Sequence, residues 1–290
     1  MKLKILVIGG NRYFGKKLVQ QLVGAGHEVT VINRGHELSP TGVELMKCDR
    51  GDVPTLKRLV EGRTWDVIYD QICLSANHAT IATEILVPKT KKYILTSTMS
   101  VYEFKGNLVE SDFDPQNYSF LKMVDPAEDY AVAKRQVEAI FSREELPMTF
   151  VRFPIVLGLD DYTKRLHFHI ERINDEREIF FSNLLAKISF IHSDDAASIL
   201  FKMCEMKPQG PINVASTEPI ALNVLIQKIE TAVRKNLKIN QEMNDCSPFG
   251  INDDWYLNVS KAEKLGLIAA PIDSWLDPLI LKIAKNFLSH

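Results

Sequence analysis

The pattern Tyr-x-x-x-Lys occurs three times in this chain, as Tyr13/Lys17, Tyr118/Lys122 and Tyr130/Lys134. On a helix, residues four apart share one face, so a lysine ammonium can lie beside a tyrosine phenol. Such a pair is an acid/base device. A free phenol has a pKa of about 10 and must fall by about 3 units to exchange protons near neutral pH. A neighbouring ammonium favours the phenolate and lowers that value. Position separates the three pairs. Tyr13 lies in a glycine-rich turn, and Tyr118 lies in a polar stretch with Pro115, Asn117 and Ser119. Tyr130 opens the helical run Ala131–Ile140, which selects Tyr130 and Lys134.

A partner hydroxyl is expected at the end of a strand. Tyr93-Ile94-Leu95 runs into Thr96, Ser97, Thr98 and Ser100, so four hydroxyl residues crowd one strand end. Open α/β sheets place ligands at such carboxyl ends. Some of these hydroxyls are expected to cap the loop instead.

Gly9-Gly10-Asn11-Arg12-Tyr13-Phe14-Gly15 follows the apolar run Leu3–Ile8 and opens a helix. Glycines there tighten the turn and admit a pyrophosphate to the helix N-terminus. The order of strand, glycine turn, helix and second strand points to a dinucleotide. Its contacts would come from Gly9, Asn11, Arg12, Tyr13, Phe14 and Gly15. The second strand ends Val31-Ile32-Asn33-Arg34-Gly35. NAD sites carry an acid about 20 residues on, which binds the ribose 2′-OH. Here Asn33 and Arg34 stand instead, which removes repulsion toward a 2′-phosphate and offers it a guanidinium fork. Arg12 is a second candidate cation, and NADP is expected over NAD. Asp49 has two readings, an acceptor for the adenine amino group or a loop cap. Asp52, before Val53-Pro54, reads as a helix cap, because Pro suits the first helical turn.

The positioning elements follow from periodicity. Strand-like runs at Leu3–Ile8, Val29–Ile32, Val67–Tyr69, Tyr93–Thr96 and Thr149–Phe153 alternate with helical ones at Lys16–Val23, Val53–Val60, His78–Leu86 and Tyr130–Phe141. The alternation, with an apolar first strand, gives an α/β class with a doubly wound parallel sheet of Rossmann type. After about Leu157 the rhythm breaks. Helices return at Ser193–Met203, Ala221–Lys235 and about Asp277–Leu288. Residues 1–157 with 191–218 form the expected dinucleotide-binding domain, and 158–190 with 219–290 a smaller mixed α/β substrate lobe.

Taken together, the glycine turn, the hydroxyl-rich strand end before Val101-Tyr102 and Tyr130/Lys134 resemble the extended short-chain dehydrogenase/reductases, the NAD-dependent epimerase/dehydratase superfamily. Arg152-Phe153-Pro154 is similar to that family's Arg-x-Pro strand. Phe190–Ala197, Pro211–Ala215 and Ser260-Lys261-Ala262 with Leu265-Gly266 resemble further family segments. The resemblance implies a catalytic triad of Thr98, Tyr130 and Lys134, with Lys134 and Pro154 also on the cofactor side. Arg12 replaces the middle glycine of the turn. This is similar to an atypical branch that includes reductases and chloroplast stem-loop RNA-binding proteins. The expected function is therefore an NAD(P)-dependent oxidoreductase or epimerase acting on a carbonyl or hydroxyl carbon, and the resemblance implies a nucleotide sugar. The alternatives are a non-catalytic NAD(P)- or RNA-binding protein of the same fold, and a hydride-neutral lyase or isomerase.

Lys164, Arg165, His167, His169 and Arg172 form a basic stretch, read either as a site for an anionic small-molecule substrate or as a solvated face. His167 and His169, two apart, face different ways on a helix, and no metal site is expected. His192 with Asp194-Asp195 reads as a hydrogen-bonding cluster between the domains. The 290 residues are 46% hydrophobic and 25% charged, ordinary for a globular chain. A formal charge of −2, from 35 Lys+Arg against 37 Asp+Glu, counts against RNA as the main partner. Cys48, Cys73, Cys204 and Cys246 lie far apart without metal spacing and suggest reduced thiols. The N-terminal apolar run is too short for a signal-peptide core, and nothing approaches the roughly 18–20 apolar residues of a membrane span. A cytoplasmic protein is expected. The C-terminal helix can pack on its own lobe or contribute to a homodimer.

Overall fold

A computed structural model describes residues 1–35 and 40–288. In chain order the elements are β1 (Lys4–Ile8), α1 (Tyr13–Gly24), β2 (Glu28–Asn33), β3 (Glu44–Lys47), α2 (Val53–Val60), β4 (Val67–Asp70), α3 (Ala76–Ile85), β5 (Tyr93–Thr98), α4 (Tyr130–Phe141) and β6 (Met148–Phe153). There follow β7 (Ile155–Leu157), α5 (Arg165–Asn174), β8 (Glu178–Ile179), β9 (Lys187–Ile188), β10 (Phe190–His192) and α6 (Ser193–Met203). The chain ends with β11 (Gly210–Asn213), β12 (Ile220–Ala221), α7 (Leu222–Val233), β13 (Lys238–Ile239), α8 (Ser260–Lys264) and α9 (Ile272–Leu288).

The chain forms two compact units, Met1–Tyr102 with Glu110–Phe153 and Ala196–Val214, and Glu103–Val109 with Pro154–Asp195 and Ala215–His290. The sequence division differs from these units at 103–109, 154–157, 191–195 and 215–218. Pairing explains much of the difference. β7 hydrogen-bonds to β10 rather than to the large sheet, and the Leu108 backbone bonds to Tyr256 and Asn258.

In the first unit seven strands make one sheet in the order β11-β6-β5-β4-β1-β2-β3. Every pairing is parallel. The order reverses at β1, which lies between β2 and β4, and doubly wound sheets bind ligands in the crevice at such a switch point. Leu6, Ile8, Ile68 and Leu95 share a core with Leu56 and Val60 of α2, Ala79 and Ala82 of α3, and Val137 and Phe141 of α4. Helices and loops cover the central strands, so these read as unbroken apolar runs. Helices α2, α3 and α4 carry side-chain caps. Asp52 accepts from the Thr55 N–H, Ser75 from His78 and Asp129 from Val132.

The second unit has three short strand pairs, β7/β10, β8/β13 and β9/β12. Helices α5, α7 and α9 pack on one another. His169 of α5 is fully buried there and stacks on Phe249 at 4.5 Å. Its Nδ1 and Nε2 lie 2.7 Å from the Arg165 carbonyl and from Ser247 Oγ. The carbonyl can only accept, so Nδ1 carries the proton and Nε2 accepts from the serine. Burial lowers the His169 pKa from 6.5 to about 4, against a smaller upward pull from the Arg165 carbonyl. The unfolded chain therefore binds this proton below pH 6.5 while the folded chain does not. Stability from His169 is complete above pH 6.5 and is lost as pH falls toward 4, by roughly 3 kcal/mol in all. Urea denaturation between pH 7 and 4 should show this slope in the wild type. It should be flattened in His169→Phe, which keeps the stack and has no proton to take up.

Candidate active site

The glycine turn joins β1 to α1. Gly9 and Gly10 lie at φ of 98° and 80°, and Tyr13, buried at the helix start, also lies in the left-handed region at 54°. Gly15 sits in tight quarters, where a side chain would force its neighbours to shift. A Cβ there would lie 2.1 Å from Gln71 Oε1 and 3.1 Å from the Gly10 Cα. The first turn of α1 is thus pressed against Gly10 and against the residue that follows β4. Arg12 precedes the helix without a side-chain cap, and the first turn carries no acid. First-turn N–H groups concentrate positive potential, so this terminus suits a diphosphate. Phe14 packs edge-on against Phe153 at 5.9 Å and ties the turn to the end of β6.

Tyr130 begins α4 and is 43% exposed, whereas Lys134, one turn on, is 2% exposed. The Lys134 ammonium donates to the Cys73 carbonyl at 2.8 Å and to the Thr96 carbonyl at 3.0 Å. It is held between the loop after β4 and the end of β5, and two of its three N–H groups are engaged there. Thr98 ends β5. Its Oγ accepts from the Ser100 N–H at 3.1 Å, which makes Thr98 the cap of the 3-10 turn Met99–Val101, and donates to Ser100 Oγ at 3.1 Å. Arg135 Nε donates to the Val101 carbonyl at 2.7 Å. Helix α4 therefore grips β5 and the turn on both sides of Thr98. The other two Tyr/Lys pairs have different surroundings. Tyr13 is buried in the glycine turn, and Tyr118 packs edge-on against Phe113 in a loop.

Two buried ionic networks stand behind these residues. Glu138, four residues beyond Lys134, pairs with Arg152 of β6 at 2.6 Å, both at zero exposure. Ser97 donates to Glu138 at 2.5 Å. Arg152 also donates to the Tyr102 phenol at 2.7 Å and to the Glu110 and Phe113 carbonyls. Burial pushes the Tyr102 phenol up, only partly offset by Arg152, so it stays neutral and donates to Asn213 Oδ1 at 2.7 Å. The second network pairs Arg50 with Asp70 at 2.6 and 2.9 Å, and Tyr93 donates to Asp70 at 2.7 Å. Burial opposes ionisation of Asp70, but Arg50 outweighs it and the carboxyl pKa is lowered. Burial pushes the Cys73 thiol up to about 12, so it is no nucleophile at neutral pH.

Neither pairing is apparent from the sequence alone, although each has one local signal. Glu138 continues the four-residue spacing of Tyr130 and Lys134, and Asp70 closes an otherwise apolar strand.

Other candidates find varied surroundings. Asn33 is buried, and its Oδ1 accepts from the Gly35 N–H at 2.6 Å, while Arg34 is exposed. The Asp49 side chain accepts from the Gly51 N–H at 2.8 Å, so it closes its own loop. Pro154 follows β6 directly and is counted with the second unit. The basic stretch does not form one surface. His169 is in the core, and Arg172 pairs with Asp245 at 2.6 Å and donates to the Glu178 carbonyl. His192 Nδ1 accepts from the Asp194 N–H, and Asp195 accepts from the Ala270 N–H, all within the second unit. Among the described residues no group of His, Cys, Asp and Glu could hold a metal, and no helix is long and apolar enough to cross a membrane.

This is a Rossmann-type α/β protein with a glycine turn and a Tyr/Lys helix at the carboxyl ends of its strands. The model of the NAD dependent epimerase/dehydratase family matches residues 5–215, and the chain belongs to that family. A chloroplast stem-loop binding protein of 41 kDa from Arabidopsis thaliana is 28% identical over 67% of this chain. The chain spans about half of that relative, 53% of its length. Among solved structures, UDP-glucose 4-epimerase from Thermotoga maritima, with UDP-glucose, superposes with a TM-score of 0.74 at 16% identity, covering 99% of this chain and 100% of that one. A dTDP-glucose 4,6-dehydratase from Bacillus anthracis, in complex with NAD, gives 0.74 at 15% identity, covering 98% and 97%.

The Glu138–Arg152 pair yields a stability prediction. Glu138→Gln leaves Arg152 as a buried uncompensated charge and should cost about 3–5 kcal/mol in urea denaturation. Arg152→Met should cost a similar amount, and the double variant clearly less than the sum. Additive losses would contradict the pairing.

Proposed function

We propose that this protein is a nicotinamide-dependent oxidoreductase or epimerase that takes NADP in preference to NAD. The observation that carries the reading is the Lys134 ammonium, held by two backbone carbonyls one helical turn from Tyr130. Gly9, Asn11, Arg12, Tyr13, Phe14 and Gly15 would receive the diphosphate, and the uncapped, acid-free N-terminus of α1 supports this. Asn33 and Arg34 would face the adenosine ribose, where the absence of an acid and the exposed guanidinium favour a 2′-phosphate. When bound, the nicotinamide supplies reversible hydride transfer.

The protein's own part is proton management and orientation. Lys134 would direct its remaining N–H toward the nicotinamide ribose. Tyr130 would pass a proton to or from a substrate oxygen. Thr98 would hydrogen-bond that oxygen, with Ser100 beside it at 3.1 Å holding the hydroxyl in place. The substrate would be a small molecule with a carbonyl or hydroxyl carbon. The neighbours that act on UDP-glucose and dTDP-glucose support a nucleotide sugar.

The plant relative's name supports a second reading, a stem-loop RNA-binding protein. The −2 formal charge weighs against it, because phosphate-dominated binding relies on a basic excess.

A fluorescence titration with NADPH and with NADH tests the proposal. NADPH should bind at least about tenfold more tightly. Tyr130→Phe should keep that affinity, while lowering turnover of any substrate found by about 10²–10⁴-fold. Binding of neither nucleotide would overturn the enzymatic reading. A strongly salt-dependent RNA affinity would then favour the second one.

A further inference from the structure

We infer that Lys47, at the end of the neighbouring strand, is a specificity-determining residue that reads the 2′-phosphate of NADP together with Arg34. The inference rests on the nucleotide reading above and adds to it a cation that the sequence pattern did not single out. Strands β2 and β3 are parallel, with Asn33 directly opposite Lys47. The chain turns after Asn33, whose Oδ1 accepts the Gly35 N–H at 2.6 Å. Gly35 adopts a φ of 78°. A Cβ on Gly35 would lie 3.3, 3.0 and 3.1 Å from the Cγ, Cδ and Cε of Lys47. The lysine stem therefore lies across the glycine backbone, in the space a side chain at position 35 would need.

This packing has an electrostatic consequence. Three stem carbons laid against the turn fix the course of the side chain, and its ammonium is carried beside the turn that Arg34 opens. Arg34 and Lys47 are both exposed. Among the described residues neither has an acidic partner. Arg34 and Lys47, a guanidinium fork and a compact ammonium, follow and end adjacent strands at the edge of the sheet where the ribose acid of NAD sites would otherwise be. A phosphate monoester with charge near −2 fits that pair, and a bare 2′-hydroxyl gains little from it.

The variant that separates charge from packing is Lys47→Met, which keeps an unbranched stem over Gly35 and removes the ammonium. The measurement is the dissociation constant of NADPH and of NADH for wild type and variant, read by nicotinamide fluorescence, with thermal unfolding as a control. Lys47→Met should raise the NADPH constant about tenfold and leave the NADH constant within about twofold. An unchanged NADPH constant in the variant, with the wild type still preferring NADPH, would overturn the role of Lys47 and leave the nucleotide preference standing. Equal weakening of both nucleotides would overturn it too, because the lysine would then serve the whole dinucleotide. A wild type that binds NADH as tightly as NADPH would overturn the preference itself and the role of Lys47 with it.

Discussion

A single buried ammonium organises the first unit. Lys134 is almost without solvent contact, and its charge is met by the carbonyls of Cys73 and Thr96. Burying an unpartnered ammonium costs several kcal/mol, so those two carbonyls must be where they are. Each is set by a further interaction. Asp70, held by Arg50 and Tyr93, accepts the Ile72 N–H and shapes the loop that presents Cys73. Glu138, held by Arg152, accepts the hydroxyl of Ser97, next to Thr96. Helix α4 thus carries the lysine and, one turn later, the carboxylate that fixes the strand end receiving it. Tyr130 is the exposed end of the same helix face.

The sheet makes this arrangement available. Parallel strands bring the ends of β1, β2, β4 and β5 to one edge, and the order reverses at β1, the kind of switch point at which doubly wound sheets bind ligands. The glycine turn after β1 adds an uncapped helix N-terminus, and β4 and β5 lead to the residues that hold the lysine. The other first-unit helices before β6 are capped by Asp52, Ser75 and Asp129. The uncapped terminus is thus the one the sheet order places beside the switch point.

Much of this was legible in the sequence because it is local. β1 and β5 are short apolar runs, α4 keeps a helical period from Tyr130 to Phe141, and a turn such as Gly9–Gly15 shows its constraint in its composition. The Asp52 cap was visible for the same reason, since Val53-Pro54 mark a first turn. What escaped was non-local. The partners Arg50 and Asp70 are 20 residues apart, and nothing within either segment names the other. Lys47 becomes informative only through the β2–β3 register and the bare backbone of Gly35. Polarity misled where burial reversed its meaning. The stretch from Lys164 to Arg172 looks basic, yet His169 is a neutral core residue stacked on Phe249. The last helix begins at Ile272, before the expected Asp277, and continues through Pro278. A proline in the second turn forfeits one backbone bond, and the apolar residues Leu276, Leu279 and Ile280, all buried, compensate.

The central claim is that α1 and Lys134 together hold one nicotinamide dinucleotide. A crystal structure of the protein with NADP⁺ tests it most directly. The account predicts the diphosphate on the first-turn N–H groups of α1 and the nicotinamide ribose within hydrogen-bond reach of the Lys134 ammonium. A dinucleotide bound elsewhere, or one whose ribose makes no contact with Lys134, would contradict it.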